Sequence, residues 1–419
     1  MERQGLIPQL YRQEYSKMVA VICSRFGIEK IDAAEDIVSE TFLSAAETWG
    51  TKGVPDNPAA WLYRVARNNA LNEMKHDNVR RKVTNRLAKE TAVQAEPDLD
   101  LSAQHINDSL LRMLFAVCHP SIPTEAQISL ALRVLCGFTI DEIAQALLTT
   151  KANINKRLFR AKEKLRIERV SLEVPSGAGL DRRLDAVLIT LYLLFNEGYY
   201  SASQDKILRK DLCLEAIRLA YLLSGEWSAE RAVRADVYSL LALMCFQASR
   251  LDARIDASGE LVLYEEQDTE LWDQELIDRG NAFFVKASDL GSLSRFHLEA
   301  AIAWWHTQKT DSADKWKSVL MLYNRLLVVQ YSPVAALNRA YAYGRVYGKQ
   351  KAIAEAEGLE LTGNLFYHSL LGELYSGVDD RKALGHLALA VERAPTKEER
   401  KVLRAKMKRL ARGKDSGAT

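Results

Sequence analysis

The chain has 419 residues, too many for one compact core, which predicts about two to four domains. A composition of 48% hydrophobic and 27% charged residues is typical of a globular protein and excludes a disordered or fibrous chain. No apolar run approaches the ~20 residues of a membrane span, the first residues lack the order of a signal peptide, and the five cysteines are scattered. We therefore predict a cytoplasmic protein that does not associate with membranes.

Positive charge is concentrated in two stretches. Residues 61–90 carry eight Lys or Arg against three Asp or Glu, and residues 149–170 carry eight against two. By contrast, residues 1–60 carry six against nine, and residues 91–148 carry two against seven. Two separate cationic surfaces suggest two contacts with a polyanion, because each neutralised phosphate releases counterions and strengthens binding. The alternative is that both stretches are solvated helix faces.

Nearly the whole sequence has helical periodicity, interrupted by proline and glycine. We predict an all-α fold with a helical unit over residues 1–82, a linker over 83–104, a smaller helical unit over 105–170 and a helical extension over 175–419. Late in the extension, a tetratricopeptide-like spacing of small and large residues predicts stacked helix pairs, with simple packed pairs as the alternative. The residues with this spacing are Leu371, Gly372, Tyr375, Ala383, Leu387, Ala390 and Pro395.

The first unit contains two amphipathic helices. One begins near Asp32 and includes the sequence AEDIVSETF; the other begins with PAAWLYRVARNNALNEM. A loop rich in glycine and proline, from Trp49 to Asn57, joins them and could hold a displaced base. A polar stripe follows the second helix, whereas the simplest role for Phe42, Trp61 and Leu62 is core packing. The stripe consists of Arg64, Asn68, Asn72 and Lys75.

Residues 137–165 predict a helix-turn-helix. Thr139 and Glu142 have the spacing of a capping box at the start of the first helix, and a turn follows near Leu148. The second helix has an apolar side made of Ile154, Leu158, Ala161 and Leu165. Its other side carries Asn153, Lys156, Arg157, Arg160 and Lys164. Such a face is suited to the major groove, because Arg and Lys pair with guanine edges and Asn with adenine. A structural helical hairpin without DNA is the alternative.

These motifs resemble, in order and spacing, the extracytoplasmic-function sigma factors. The later sequences LDAVLITLYLLFNEGYYSAS and SPVAALNRAYAYG resemble the long extension of one subgroup. The resemblance implies that residues 1–82 form sigma region 2, that residues 105–170 form the helix-turn-helix of sigma region 4, and that a tetratricopeptide-like array follows. It also implies that the chain binds RNA polymerase core, directs transcription from specific promoters, and is modulated by its fused extension, itself subject to an unknown regulator.

The resemblance assigns roles by motif position. It places Asp36, Glu40, Thr41 and Phe42 in or beside the polymerase contact. It places Arg64, Asn68, Asn72 and Lys75 against the start-proximal promoter element, which is melted. It places Asn153, Lys156, Arg157, Arg160 and Lys164 against the start-distal element, which is read as duplex.

Other functions predict different patterns. An enzyme or metalloprotein is disfavoured, because the seven histidines are dispersed without metal-ligand spacing and Cys118-His119 is an isolated pair. We predict no catalytic residues, no metal and no cofactor. A repressor or activator that works without polymerase remains the alternative function, since the helix-turn-helix by itself fits either. A pure protein scaffold would leave both cationic stretches unexplained.

Overall fold

The computed structural model describes residues 6–84, 102–176, 179–199, 206–225, 231–254, 262, 264–291, 293–394 and 397–415. Within the helices it describes the side chains of all but residues 74–84, 206–209, 231–233, 397–398 and 412–415. Most of the predicted linker, the side chain of Lys75 and Pro395 therefore lie outside the described part of the chain.

All regular secondary structure in the described stretches is helical, which confirms the all-α prediction. The first half of the chain contains α1 (Leu6–Phe26), α2 (Ile31–Lys52), α3 (Pro58–Thr84), α4 (Ala103–Val117), α5 (Thr124–Leu130), α6 (Ile140–Ala146), α7 (Lys151–Ile167), α8 (Leu180–Tyr199) and α9 (Lys206–Leu222). The second half contains α10 (Arg231–Ala248), α11 (Gln274–Leu290), α12 (Arg295–His306), α13 (Ala313–Val329), α14 (Pro333–Tyr347), α15 (Lys349–Glu357), α16 (Leu365–Tyr375), α17 (Asp380–Arg393) and α18 (Lys397–Asp415).

The chain forms two compact units, residues 1–227 and residues 228–419. Helices α1 to α9 belong to the first unit and α10 to α18 to the second. The predicted extension, 175–419, therefore contributes to both, because its first two helices pack with the first unit.

In the first unit, α1 packs against α2, α3 and α4. Helix α3 begins where the sequence provides two start signals: Pro58 occupies its first position, and the side-chain oxygen of Asn57 accepts the Ala60 amide at 3.0 Å. Leu62, Ala66 and Ala70, spaced by four, form its buried side. This spacing leaves the opposite side of α3 facing solvent.

Helices α6 and α7 form the predicted helix-turn-helix. The capping box is present: Thr139 Oγ1 accepts the Glu142 amide at 3.2 Å, and Glu142 Oε2 accepts the Thr139 amide at 2.8 Å. Leu148 takes a left-handed conformation, with φ of 47°, in the turn. Helix α7 then begins at a second cap, where Thr150 Oγ1 accepts the Asn153 amide at 3.2 Å. All four residues predicted to face inward, Ile154, Leu158, Ala161 and Leu165, are buried.

Helices α8 and α9 pack together and cover the side of the first unit formed by α4, α5 and α6. Polar contacts anchor them at buried positions. Thr190 Oγ1 donates to Gln127 Oε1 at 2.6 Å, and the Gln127 amide donates to backbone carbonyls between α4 and α5. Arg183 and Arg218 donate to the carbonyls of Phe115 and Leu135. Because buried carbonyls without partners are costly, these bonds tie the two helices to this surface.

The second unit is a series of helices in which each packs on its neighbour in the chain, from α10 to α18. The tetratricopeptide-like residues on α16 and α17 pack in the core of the second unit, where Leu371, Ala383, Leu387 and Ala390 are buried. Gly372 allows close approach, because a Cβ at this position would lie 2.7 Å from Leu387 Cγ. The predicted helical extension is thus confirmed as consecutive packed pairs.

Candidate nucleic-acid and polymerase interfaces

The outer face of α7 carries most of the residues predicted to read duplex DNA. Asn153, Lys156, Arg160 and Lys164 are exposed, whereas Arg157 is half-buried. Arg157 forms an ion pair with Glu125 of α5 at 2.9 Å, and Lys164 pairs with Glu168 at 2.7 Å, one turn along. Lys156 and Arg160 have no ion-pair partner in the described part of the chain. They are therefore the two predicted cations whose charge is least compensated within the protein.

Two further residues on this face were not singled out from the sequence. Asn155 and Phe159 are both exposed, and the Phe159 ring is 70% exposed although it is large and apolar. The helical spacing could have identified both, because neither position falls in the inward series of four, three and four. The face is thus mixed: cationic and amide groups surround one aromatic ring.

The predicted stripe on α3 is exposed. Arg64, Asn68 and Asn72 follow each other at intervals of four and face away from the buried side of the helix. Trp61, by contrast, makes an edge contact with Trp49 at a ring distance of 5.4 Å, which agrees with core packing. The α3 stripe, defined as Arg64, Asn68 and Asn72, is thus a polar surface on a packed helix.

The four residues expected near the polymerase contact lie on two sides of α2. Asp36 and Glu40 are exposed. Thr41 is buried and its hydroxyl donates to the Ile37 carbonyl at 2.7 Å, and Phe42 is buried with its ring edge-on to Tyr11 at 5.0 Å. Of these four residues, only Asp36 and Glu40 are therefore accessible from outside the unit, while Thr41 and Phe42 hold the helix in position.

A buried carboxylate joins α1 and α2 to the helix-turn-helix. Glu35 of α2, with a side chain only 8% exposed, accepts hydrogen bonds from Tyr15 Oη at 2.9 Å and Arg133 Nε at 2.8 Å. It also forms an ion pair with Lys162 of α7. Sequence patterns do not predict this contact, because Lys162 lies 127 positions from Glu35. Three donors from three different segments meet at this one carboxylate.

The surroundings of Glu35 also affect its partners. Burial lowers the pKa of Lys162, but the charges of Glu35 and Asp32 outweigh burial, so the pKa is raised overall. Burial, reinforced by Glu35, raises the pKa of the Tyr15 hydroxyl. Asp32 adds a more exposed contact, accepting from Lys162 Nζ at 2.8 Å and Arg166 at 3.1 Å. Two cations of α7, Lys162 and Arg166, thus form ion pairs with α2.

A second junction connects three helices through Arg12 of α1. Its guanidinium donates to Glu142 of α6 at 2.6 Å and to Asp211 of α9 at 3.0 Å, and it lies over the Phe138 ring at 5.0 Å. The start of the predicted extension is thereby connected to both earlier helical groups of the first unit.

Models of two known protein families match the regions of the chain that carry these surfaces. A model of sigma-70 region 2 matches residues 11–80, which include α2 and most of α3. A model of sigma-70 region 4 matches residues 112–165, which include α6 and most of α7.

The chain belongs to the sigma-70 family.

It is an extracytoplasmic-function-like sigma factor with an additional C-terminal domain. This sigma factor acts in promoter-directed transcription initiation, and its helix-turn-helix is the DNA-binding element of region 4. A family of unknown function, DUF6596, matches residues 183–288 of the extension. The sigma factor is also 36% identical, over 360 residues and 82% of each chain, to an uncharacterized protein of Rhizobium meliloti strain 1021. No solved structure matches the chain.

The thiol of the isolated Cys118-His119 pair is buried. Burial raises the pKa of Cys118 to about 12, so its thiol stays protonated at neutral pH and the adjacent His119 has no thiolate to pair with. Across the described residues, no group of three or more His, Cys, Asp or Glu side chains could hold a metal ion. None of the helices searched there is both long and apolar enough to cross a bilayer. Sigma factor families are in general not enzymes.

Proposed function

We propose that this sigma factor gives promoter specificity to RNA polymerase core through three surfaces of its first unit. Asp36 and Glu40 on α2 contact the polymerase. The α3 stripe contacts the start-proximal element, as does Lys75 by its place in the sequence motif. The outer face of α7 reads the start-distal element, mainly through Lys156 and Arg160. The protein acts in the cytoplasm, where polymerase and chromosome meet, and has no catalytic residues of its own.

The observation that supports this proposal most directly is that two exposed polar faces occur in one chain. On α3 the side opposite Leu62, Ala66 and Ala70 is polar, and on α7 the side opposite the buried stripe is cationic. A repressor needs only the second of these faces, so the α3 stripe favours the polymerase-dependent function.

Transcription in vitro with purified core polymerase tests the proposal. Lys156→Ala and Arg160→Ala should each weaken promoter binding of the complex by about 1–3 kcal/mol, which is roughly 5- to 150-fold. Lys164→Ala should have a smaller effect, because Glu168 already compensates its charge. Lys317→Ala, which removes an exposed charge from the second unit, is the control.

Two results would contradict the proposal. One is a failure of the purified protein to associate with core polymerase. The other is sequence-specific DNA binding that core polymerase leaves unchanged, as expected of a repressor.

The C-terminal unit is proposed to modulate this activity from within the same chain, and an unknown regulator of it stays a prediction. The full chain should be compared with a truncation after Trp227. A truncation near residue 172 would remove α8 and α9 and expose the apolar side of α4 and α5 that they cover. A difference in transcription between the full chain and the first unit alone would support modulation; equal activity would refute it.

A further inference from the structure

Phe159 is the one large apolar side chain in the central turns of the outer face of α7. Its ring is 70% exposed, although the inward positions of the helix are filled by Ile154, Leu158, Ala161 and Leu165. Leaving a phenylalanine ring in water forgoes the favourable free energy that burial of its apolar surface would provide. The ring is therefore available to a partner from outside the first unit's core.

The position of Phe159 relative to Lys156 and Arg160 indicates what kind of partner the ring contacts. Successive residues of an α-helix are separated by about 100°, so Lys156 lies about 60° to one side of Phe159 and Arg160 about 100° away in the same direction. Asn155 precedes Phe159 by four positions, on the same side. The ring is thus framed by an amide and by two cations that have no ion-pair partner among the described residues. Such a surface is complementary to DNA and poorly suited to an apolar protein surface.

Glu163, four positions after Phe159, limits how far the DNA contact extends. It is half-buried and forms an ion pair with Arg166. A carboxylate at this point would repel phosphate, so the DNA-facing surface ends near Glu163 and Phe159 lies within it.

Only one apolar group is displayed along the major groove, the C5-methyl group of thymine. The polar edges of the other bases would lose hydrogen bonds to water against a phenyl ring without gaining any. We propose that Phe159 contacts the methyl group of one thymine in the start-distal element and so specifies T at that position. This rests on the proposed function, and it adds a direct contact to the base pairs read by Lys156 and Arg160.

Deoxyuridine provides a direct test, because replacing thymine by uracil removes the methyl group and keeps every hydrogen-bonding group. The start-distal element is first obtained by selecting promoter DNA with the full chain bound to core polymerase. Each thymine of the element is then replaced singly by deoxyuridine. One replacement should weaken binding by wild-type protein about three- to tenfold, in keeping with the loss of one buried methyl group.

The variants then connect this effect to the ring. Phe159→Ala should weaken binding to the unmodified element by a similar factor and should bind the thymine and uracil forms equally. Phe159→Leu should keep part of the discrimination. Ile167→Ala is the matched control, because Ile167 is also exposed (67%) but lies two turns further along α7; it should discriminate as wild type does. Equal thermal stability of the variants is expected, since the ring is outside the core.

Three outcomes would overturn the inference. The first is that no thymine replacement weakens binding by the wild-type protein. The second is that Phe159→Ala still binds the thymine form more tightly than the uracil form, which would assign the contact to another residue. The third is that Phe159→Ala impairs transcription but keeps this preference for thymine, which would place the ring against polymerase or a second copy. Each of these leaves wild-type binding to the unmodified element intact. Failure of the proposed function would instead abolish that binding.

Discussion

Replacing Glu35 by glutamine is the most direct test of how the first unit is held together. The substitution keeps the size of the side chain and removes its charge. Three donors, Tyr15, Arg133 and Lys162, then lose their carboxylate. The Lys162 side chain is only 12% exposed, and among the described residues its ammonium keeps only Asp32 as an acidic partner. Leaving a buried charge poorly compensated is the costly part of this change.

The expected loss follows from burial. Removing one member of a buried ion pair costs about 3–5 kcal/mol, and Lys162 keeps a partial partner, so we expect a loss of about 3 kcal/mol in the free energy of unfolding. Asp32→Asn is the matched control: it touches Lys162 and Arg166, but its side chain is 55% exposed, so it should cost at most about 1 kcal/mol.

Hydrogen exchange of the full chain in increasing urea gives the measurement, because peptides from α1, α2 and α7 report on this unit separately from the rest. Combining Glu35→Gln with Lys162→Met should recover at least 1 kcal/mol, since the second change removes the stranded ammonium. Equal losses for Glu35→Gln and Asp32→Asn, or no recovery in the double variant, would refute the reasoning.

Two further predictions concern the second unit. Burial, helped by Arg250 and Lys315, lowers the pKa of His306 to about 3, so below its ordinary value of 6.5 the unfolded chain binds a proton that the folded unit does not. The free energy of unfolding should therefore fall by about 1–2 kcal/mol between pH 7 and pH 5. Urea unfolding of the wild type and of His306→Gln should show a smaller pH dependence in the variant. An unchanged pH dependence in the variant would contradict the role of His306. Gly372→Ala should lower stability by about 1–3 kcal/mol, because its Cβ would meet Leu387, whereas Gly385→Ala, with nothing within 4 Å, should raise it by about 0.5–1 kcal/mol. Thermal unfolding compares these two, and equal effects would show that the close approach is not limiting.

The sequence by itself determined the local features of this sigma factor. The capping box at Thr139, the buried stripe from Ile154 to Leu165 and the exposed stripe from Arg64 to Asn72 all depend on residues within a few positions of each other. Helical periodicity and cap chemistry act over that same distance, so sequence patterns are sufficient to predict them. The same patterns gave the order of the helical groups.

Only the tertiary structure decided which residues meet across the chain. It buried Thr41, which helical position alone left undecided, and it packed α8 and α9 with the first unit. It also brought Lys162 to Glu35 across 127 positions. Such contacts depend on how whole helices pack, which the charge and period of any single helix do not specify.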